Sequence, residues 1–211
     1  MREHRAATRI AVMPSPDLLA FFAVTTLALL LIPGPSVLFI VARTLEHGRR
    51  GGLTSMLGVE TGALLHVFAA TVGLGALVAA SPRALLVLKL AGAAYLVWMG
   101  VRALRGRTDL SAAPGSGGDG KLYRQGLVVD ALNPKTAMFF VAFLPQFVDP
   151  AGDVALQTLM LGLVFVALAT LTDSAYALLA GAIAERVRRR TKHLSRVAGT
   201  AYLGLAGSLA I

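Results

Sequence analysis

The chain has 211 residues, of which 56% are hydrophobic and 15% charged, and it contains no cysteine. Soluble domains carry about a quarter charged residues, and the apolar residues here come in long blocks, so an ordinary soluble domain is excluded. The missing thiols exclude disulfides, thiolate metal sites and Cys-pair redox chemistry. The formal charge of +9 does not point to nucleic acid, because the basic residues flank apolar blocks as an orienting signal does.

In chain order, residues 1–12 carry Arg2, Arg5 and Arg9, followed at once by Met13, Pro14 and Asp17. They read as an N-terminal extension, with Met13 the true start and the extension either misassigned or tolerated. A cleaved signal peptide is the alternative. No small-x-small cleavage site follows the apolar run, which is interrupted by Pro33-Gly34-Pro35 and then resumes. Six blocks then read as membrane spans: 18–42, 53–80, 84–101, 125–148, 154–184 and 197–211. A span needs about 20 apolar residues. The first five qualify, and the last is short but uncharged from 201 onward.

The connections between these blocks alternate in charge. Arg43, Arg49 and Arg50 follow the first span. Arg102, Arg105, Arg107, Lys121 and Arg124 follow the third, and Arg186, Arg188, Arg189, Arg190, Lys192 and Arg196 follow the fifth. The other connections, 81–83 and 149–153, hold one Lys or Arg between them, Arg83. The positive-inside rule places the basic set in the cytoplasm and both chain ends outside. The basic run 186–190 also suits anionic lipid, and Tyr95 and Trp98 suit an interfacial anchor.

A Gly/Ser/Ala-rich stretch at 108–120 reads as a flexible cytoplasmic linker. With 108–124 as the junction, 13–107 and 125–211 form two groups of three spans. An odd count makes the second group enter the membrane in the opposite direction, the arithmetic of an inverted repeat. The expected fold is therefore an all-α integral membrane protein of six transmembrane helices arranged as two inverted three-helix repeats.

Spans one and four are each interrupted near the middle, by Pro33-Gly34-Pro35-Ser36 and by Asn133-Pro134-Lys135. Proline removes a backbone donor and frees carbonyls, which at membrane depth must pack in protein or line a polar cavity. Paired interruptions in corresponding segments point to a transporter's substrate site. Pro33 lies ten residues before Arg43, Glu60 ten after Arg50, Asn133 and Lys135 nine and eleven after Arg124, and Asp173 twelve before Glu185. At about 1.5 Å per residue all fall near the midplane. Charges at that depth are costly and are functional candidates by default.

Each candidate has a plainer reading. Lys135 either pairs with Asp130 or faces the substrate path. Glu60 is either a coupling group or a neutral buried acid. His66 is a packed histidine bonded to a backbone carbonyl. Gly58 and Gly62 form a small-xxx-small pair for close helix approach, and Glu60 projects more than 100° away from their stripe. Lys89 snorkels from the outer end of its span.

The segments LLLIPGPSVLFIVARTLEHGRRGGL, LGVETGALLHVFAATVGLGAL, LKLAGAAYLVWMGVRALR, GLVVDALNPKTAMFFVAFLPQFVDP and DSAYALLAG together resemble the LysE/RhtB family of bacterial exporters. The resemblance runs from about Met13 to the end. It implies efflux of amino acids or related small metabolites, such as lysine, threonine, homoserine or homoserine lactone, across the cytoplasmic membrane. The family pattern does not demand an acid at Glu60.

The expected site is then Pro33, Gly34, Pro35, Asn133, Pro134 and Lys135 for substrate, with amide donors holding a carboxylate and freed carbonyls an ammonium. No nucleotide-binding motif is present, so proton antiport is the simplest coupling, with Asp173 the leading titrating group and Glu60 second. No catalytic residue, metal or cofactor is expected, and protons and membrane lipids are the expected partners besides the cargo. A homo-oligomer is left open. The rival readings are a passive small-solute channel and an intramembrane serine hydrolase built on Ser36 and His66, for which no Gly-x-Ser-x-Gly elbow exists.

Overall fold

The computed structural model describes the backbone of residues 14–81, 83, 86, 87, 90 and 118–208, and their side chains except at 78–80 and 187–208. The extension 1–12, most of the third expected span with Lys89, Tyr95 and Trp98, and the linker from 108 to 117 lie outside the described residues. Every element among those described is helical.

Helix α1 spans Pro16–Leu30. Ser15 caps it, its Oγ accepting from the Leu18 amide at 3.3 Å. Pro16 occupies the first turn, where a missing amide costs nothing. Its 15 residues rise about 22 Å, short of a hydrocarbon core of about 30 Å. The chain leaves helical geometry at 31–34 and resumes in α2, Pro35–Ala80, again with proline in the first turn. The interruption stands where two prolines and a glycine predict it.

The 46 residues of α2 are not one rod. Gly48 adopts φ 74° and ψ −175°, a left-handed region open to glycine without the steric cost of a Cβ. Across this residue Gly52 packs against Thr44 and Gly51 against His47. Residues eight apart in a straight helix would be about 12 Å apart. The two arms, 35–47 and 49–80, therefore fold back as a helical hairpin. The first arm covers the part of the first expected span that follows the break, and the second arm covers the second expected span.

Helix α3, Asp119–Ala131, ends at Leu132 and Asn133, and α4, Pro134–Met138, starts with proline in its first turn. It continues as a π turn, Phe139–Phe143, and a 3-10 turn, Leu144–Phe147, where Pro145 cannot supply an α-helical amide. The two halves, 119–131 and 134–147, meet at 43° and are together long and apolar enough to cross a membrane. Helix α5, Val154–Ser208, has 55 residues, and its part Val154–Arg186 also suffices to cross.

Here the backbone departs from expectation. No turn separates the fifth block from the sixth, and the helix runs about 80 Å. The reason lies in the connection itself. Residues 185–196 hold no glycine or proline, and their Arg, Glu and Lys are good helix formers. Six separate helices in an inverted repeat are not displayed by the described residues.

Glycine contacts fix the directions. Gly51 meets Leu122, Gly58 meets Tyr123, and Gly62 meets Leu127 and Asp130, so the second arm of α2 runs parallel to α3. Gly75 meets Ala155, Gly162 meets Val67 and Gly181 meets Arg49, so α5 runs antiparallel to that arm. One end of the bundle thus gathers the Gly48 turn, Asp119 and Gly181. Arg49 and Arg50 lie there, with an Arg50–Asp119 ion pair at 2.7 Å. Asp149 and Asp153 belong to the opposite end.

Two apolar clusters flank the middle. Toward the basic end, Phe39, Ile40, Met56, Val59 and Ala177 pack together. Beyond them Arg43 is buried, lies 5.0 Å over the Phe39 ring and pairs with Glu46 at 2.6 Å. Toward the other end, Phe22, Phe139, Phe147 and Phe165 join Leu144, Leu161 and others in the larger core.

Candidate functional site

Between the two clusters lies a cavity of about 70 Å³. A single water needs about 10–15 Å³ on such a measure, so a small solute has a foothold. Five of the residues expected from the sequence line it: Gly34, Glu60, Asn133, Lys135 and Asp173. Pro33, Pro35 and Pro134 are exposed and shape the breaks from outside the cavity. The two interruptions, nearly one hundred residues apart in the chain, are brought to one place.

Each break is built differently. Gly34 stands at the start of α2 with no side chain capping it, and Gly34, Ser36 and Val37 line the cavity there. A Cβ there would press on the Lys135 side chain, 2.8 Å from its Cδ. At the second break Asn133 caps α4, its Oδ1 accepting from the Lys135 amide at 2.9 Å.

Lys135 is the link between them. Its Nζ donates to the Leu29 carbonyl at 2.9 Å and to that of Ile32. The Tyr176 hydroxyl donates to the Leu31 carbonyl at 2.9 Å. The carbonyls freed by the first break are thus held by two side chains from other helices. Of the two readings weighed for Lys135, the ion pair with Asp130 is not the contact made.

Asp130 is held by a separate network. Its Oδ1 accepts from Ser36 Oγ at 2.7 Å, from Thr136 Oγ1 at 2.9 Å and from Asn133 Nδ2 at 3.3 Å. Asn133 Nδ2 also donates to Ser36 Oγ at 2.7 Å. Glu60 is 6% exposed, and neither of its carboxyl oxygens has a hydrogen-bond partner. The Thr170 hydroxyl nearby gives its hydrogen to the Val166 carbonyl at 2.8 Å.

His66 Nε2 donates to the Asp130 carbonyl at 3.0 Å, and its ring stacks on Phe140, as expected of a packed histidine. It therefore serves the α3 face, whereas Glu60 faces the cavity. Ser36 is engaged with Asp130 and Asn133 and not with His66, which leaves a serine–histidine nucleophile without its base. Among the described residues no group of three or more His, Asp and Glu could hold a metal ion.

The rest of the wall is apolar: Leu29, Leu30, Val37, Phe139, Phe143 and Phe165 among others. Phe139 and Phe165 rings approach to 4.3 Å, and Phe139 and Phe143 to 5.0 Å. The cavity has a polar pole and an aromatic pole, the pattern of a small-molecule site with a few convergent polar groups.

The sequence reading missed Ser36, Thr136 and Asp130 as members of this pole, and Tyr176 as a cap on the break. One signal for Asp130 was available: a carboxyl one helical turn before an intramembrane break. The aromatic wall had no comparable signal, since its phenylalanines look like any other lipid-facing or core residues.

Residues 27–211 match the family model described as LysE type translocator. The homoserine/homoserine lactone efflux protein of Salmonella typhimurium is 33% identical over 89% of this chain and 93% of its own length. An uncharacterized membrane protein of Vibrio cholerae is 31% identical over 90% of the chain and 94% of its own length. The leucine efflux protein of an Enterobacter species is 26% identical over 90% and 93% respectively. No solved structure gives a significant match.

Proposed function

The chain belongs to the LysE type translocator family, and on that premise we propose that it exports a small amino acid or amino-acid derivative with an uncharged side chain. The observation that carries the reading is the two-pole cavity where the breaks meet. In the proposal, the uncapped start of α2 at Gly34 receives the carboxylate, since helix N-termini favour anions. Lys135 stands beside it as a second cationic group. The cargo's side chain lies against Phe139, Phe143 and Phe165.

A charged side chain would meet only apolar surface there, at a desolvation cost. The efflux of homoserine, its lactone and leucine by the relatives so named agrees with an uncharged cargo.

Transport proceeds by alternating access around this layer, in two inverted three-helix repeats (13–107 and 125–211) joined at 108–124; this requires α5 to turn back within 185–196 in the membrane, where the described backbone continues as helix. The basic end faces the cytoplasm of a bacterial inner membrane and, with that turn, both termini face outward, by the positive-inside rule. Export against a gradient draws on proton antiport, with Asp173 the principal titrating group and Glu60 the second. Asp173 is 5% exposed and lines the cavity beside Lys135.

Growth inhibition by a panel of amino acids and analogues, with and without overexpression, tests the cargo. Resistance confined to uncharged amino acids or their derivatives is expected, and resistance to none of the panel refutes the reading. Asp173→Asn should abolish pH-driven uptake into inverted vesicles, and undiminished coupling removes Asp173 from that role. Accumulation against a gradient separates an antiporter from the rival passive channel.

A further inference from the structure

The export reading leaves the amine of the cargo without an assigned partner. The carbonyls freed by the first break are not vacant. Lys135 holds those of Leu29 and Ile32, and Tyr176 holds that of Leu31. The acceptor must be another group on the cavity wall.

Asp130 stands out among the acids there. It is 2% exposed, and three donors converge on one of its oxygens, Oδ1. They come from three places: Ser36 at the start of α2, Asn133 in the second break and Thr136 in α4. The carboxyl is thereby fixed in one orientation by both breaks at once. Its other oxygen, Oδ2, is buried and has no hydrogen-bond partner. A buried carboxyl oxygen with no donor is costly, and such a group in a native structure calls for an explanation, a bound water, an ion or a functional role among them; on the wall of a cavity a ligand donor is the one that also serves transport.

A proton does not meet that need. Protonated on Oδ2, the group would become an O–H donor with no acceptor, exchanging one unpaired atom for another. A multivalent metal does not meet it either, because no metal-holding group occurs among the described residues. An alkylammonium does, since it brings several N–H donors. It can give one to Oδ2 with others to spare, and Glu60, whose two carboxyl oxygens are also unpartnered, lines the same cavity.

We propose that Asp130 anchors the protonated primary amine of the cargo through Oδ2, with Ser36, Thr136 and Asn133 as positioning residues. The inference rests on the export reading and narrows it. Cargo must carry a free amine, and N-acylated or des-amino compounds of the same shape are rejected. Asp173 keeps the proton-exchange role alone.

The test uses labelled leucine and homoserine with inverted vesicles, and competition by 4-methylpentanoate, N-acetyl-leucine and 4-hydroxybutanoate. The wild-type protein should prefer the free amine by at least tenfold over each counterpart. Asp130→Asn should raise the KM for the amino acid about tenfold or more and bring the preference close to unity. Ser36→Ala and Thr136→Val, which leave the carboxylate but loosen it, should lower the preference several-fold, and they carry the test if Asp130→Asn fails to fold.

An unchanged preference in a folded Asp130→Asn, or in both milder variants if it does not fold, overturns the anchor while leaving export intact. Uptake of neither amino acid by the wild-type protein overturns the export reading for this cargo class, and the anchor falls with it.

Discussion

At the scale of single residues, Lys135 shows what a charged group does at membrane depth when its partners are backbone atoms. Hydrogen bonds from a charged donor contribute about 1.5–3 kcal/mol each, and here two of them close the first break. Lys135→Met should therefore lower the thermal midpoint in detergent markedly, by a loss on the order of 3 kcal/mol, since the Ile32 carbonyl loses the Lys135 donor and that of Leu29 keeps the Ile32 amide at 3.3 Å. Tyr176→Phe removes one neutral bond to the Leu31 carbonyl and should cost about 1 kcal/mol. If the two substitutions lower the midpoint equally, the carbonyls are being satisfied by something other than Lys135.

Lys135 was singled out in the sequence by its depth. Its partners were not, because backbone carbonyls over one hundred residues away leave no mark in residue type. An ion pair with Asp130 was one of the two readings left open, but the Oδ1 of Asp130 is held by hydroxyl and amide donors instead.

At the scale of elements, hydropathy and helix geometry carry different information. Proline and glycine marked both interruptions correctly, because they act on the backbone directly. Charge marked 185–196 as the end of a span, but Arg, Lys and Glu do not stop a helix, and α5 continues through them. The glycine pair 58/62 was readable as a close-packing stripe. Its counterpart Gly126 was not, since its meaning depends on meeting Ser55 and Gly58 across the interface.

A Cβ on Gly126 would overlap the Ser55 carbonyl oxygen, and backbone atoms cannot swing aside. Gly126→Val should therefore separate α3 from α2 and strongly reduce the yield of folded protein. Gly126→Ala should be milder, though still destabilised by a few kcal/mol. Gly48→Ala should cost about 1–3 kcal/mol for its positive-φ, extended-ψ conformation alone, with no steric neighbour within 4 Å to add to it. Equal stability of Gly48→Ala and the wild type, by thermal unfolding in detergent, would speak against the hairpin.

At the scale of the whole molecule, the sequence charge count and the contacts agree on which loops share a face. The Gly48 turn, the start of α3 and the neighbourhood of Gly181 come together at the basic end, and 149–153 lies at the other. Which face meets the cytoplasm is a prediction, and the absence of native cysteine makes it simple to check. In intact cells a membrane-impermeant thiol reagent should label Ala151→Cys and spare Lys121→Cys. The reverse pattern would invert the proposed direction of transport.

The hairpin at Gly48 has one more consequence. Only a single residue departs from helical geometry between the two arms, so there is no spare chain to lengthen or twist when the bundle changes shape. Ser36 on one arm and Glu60 on the other both line the cavity, and their separation is set by the joint as the opening of a caliper is set by its frame. A substitution that lengthens or loosens that joint should therefore change the spacing of Ser36 and Glu60 across the cavity before it changes anything within either arm.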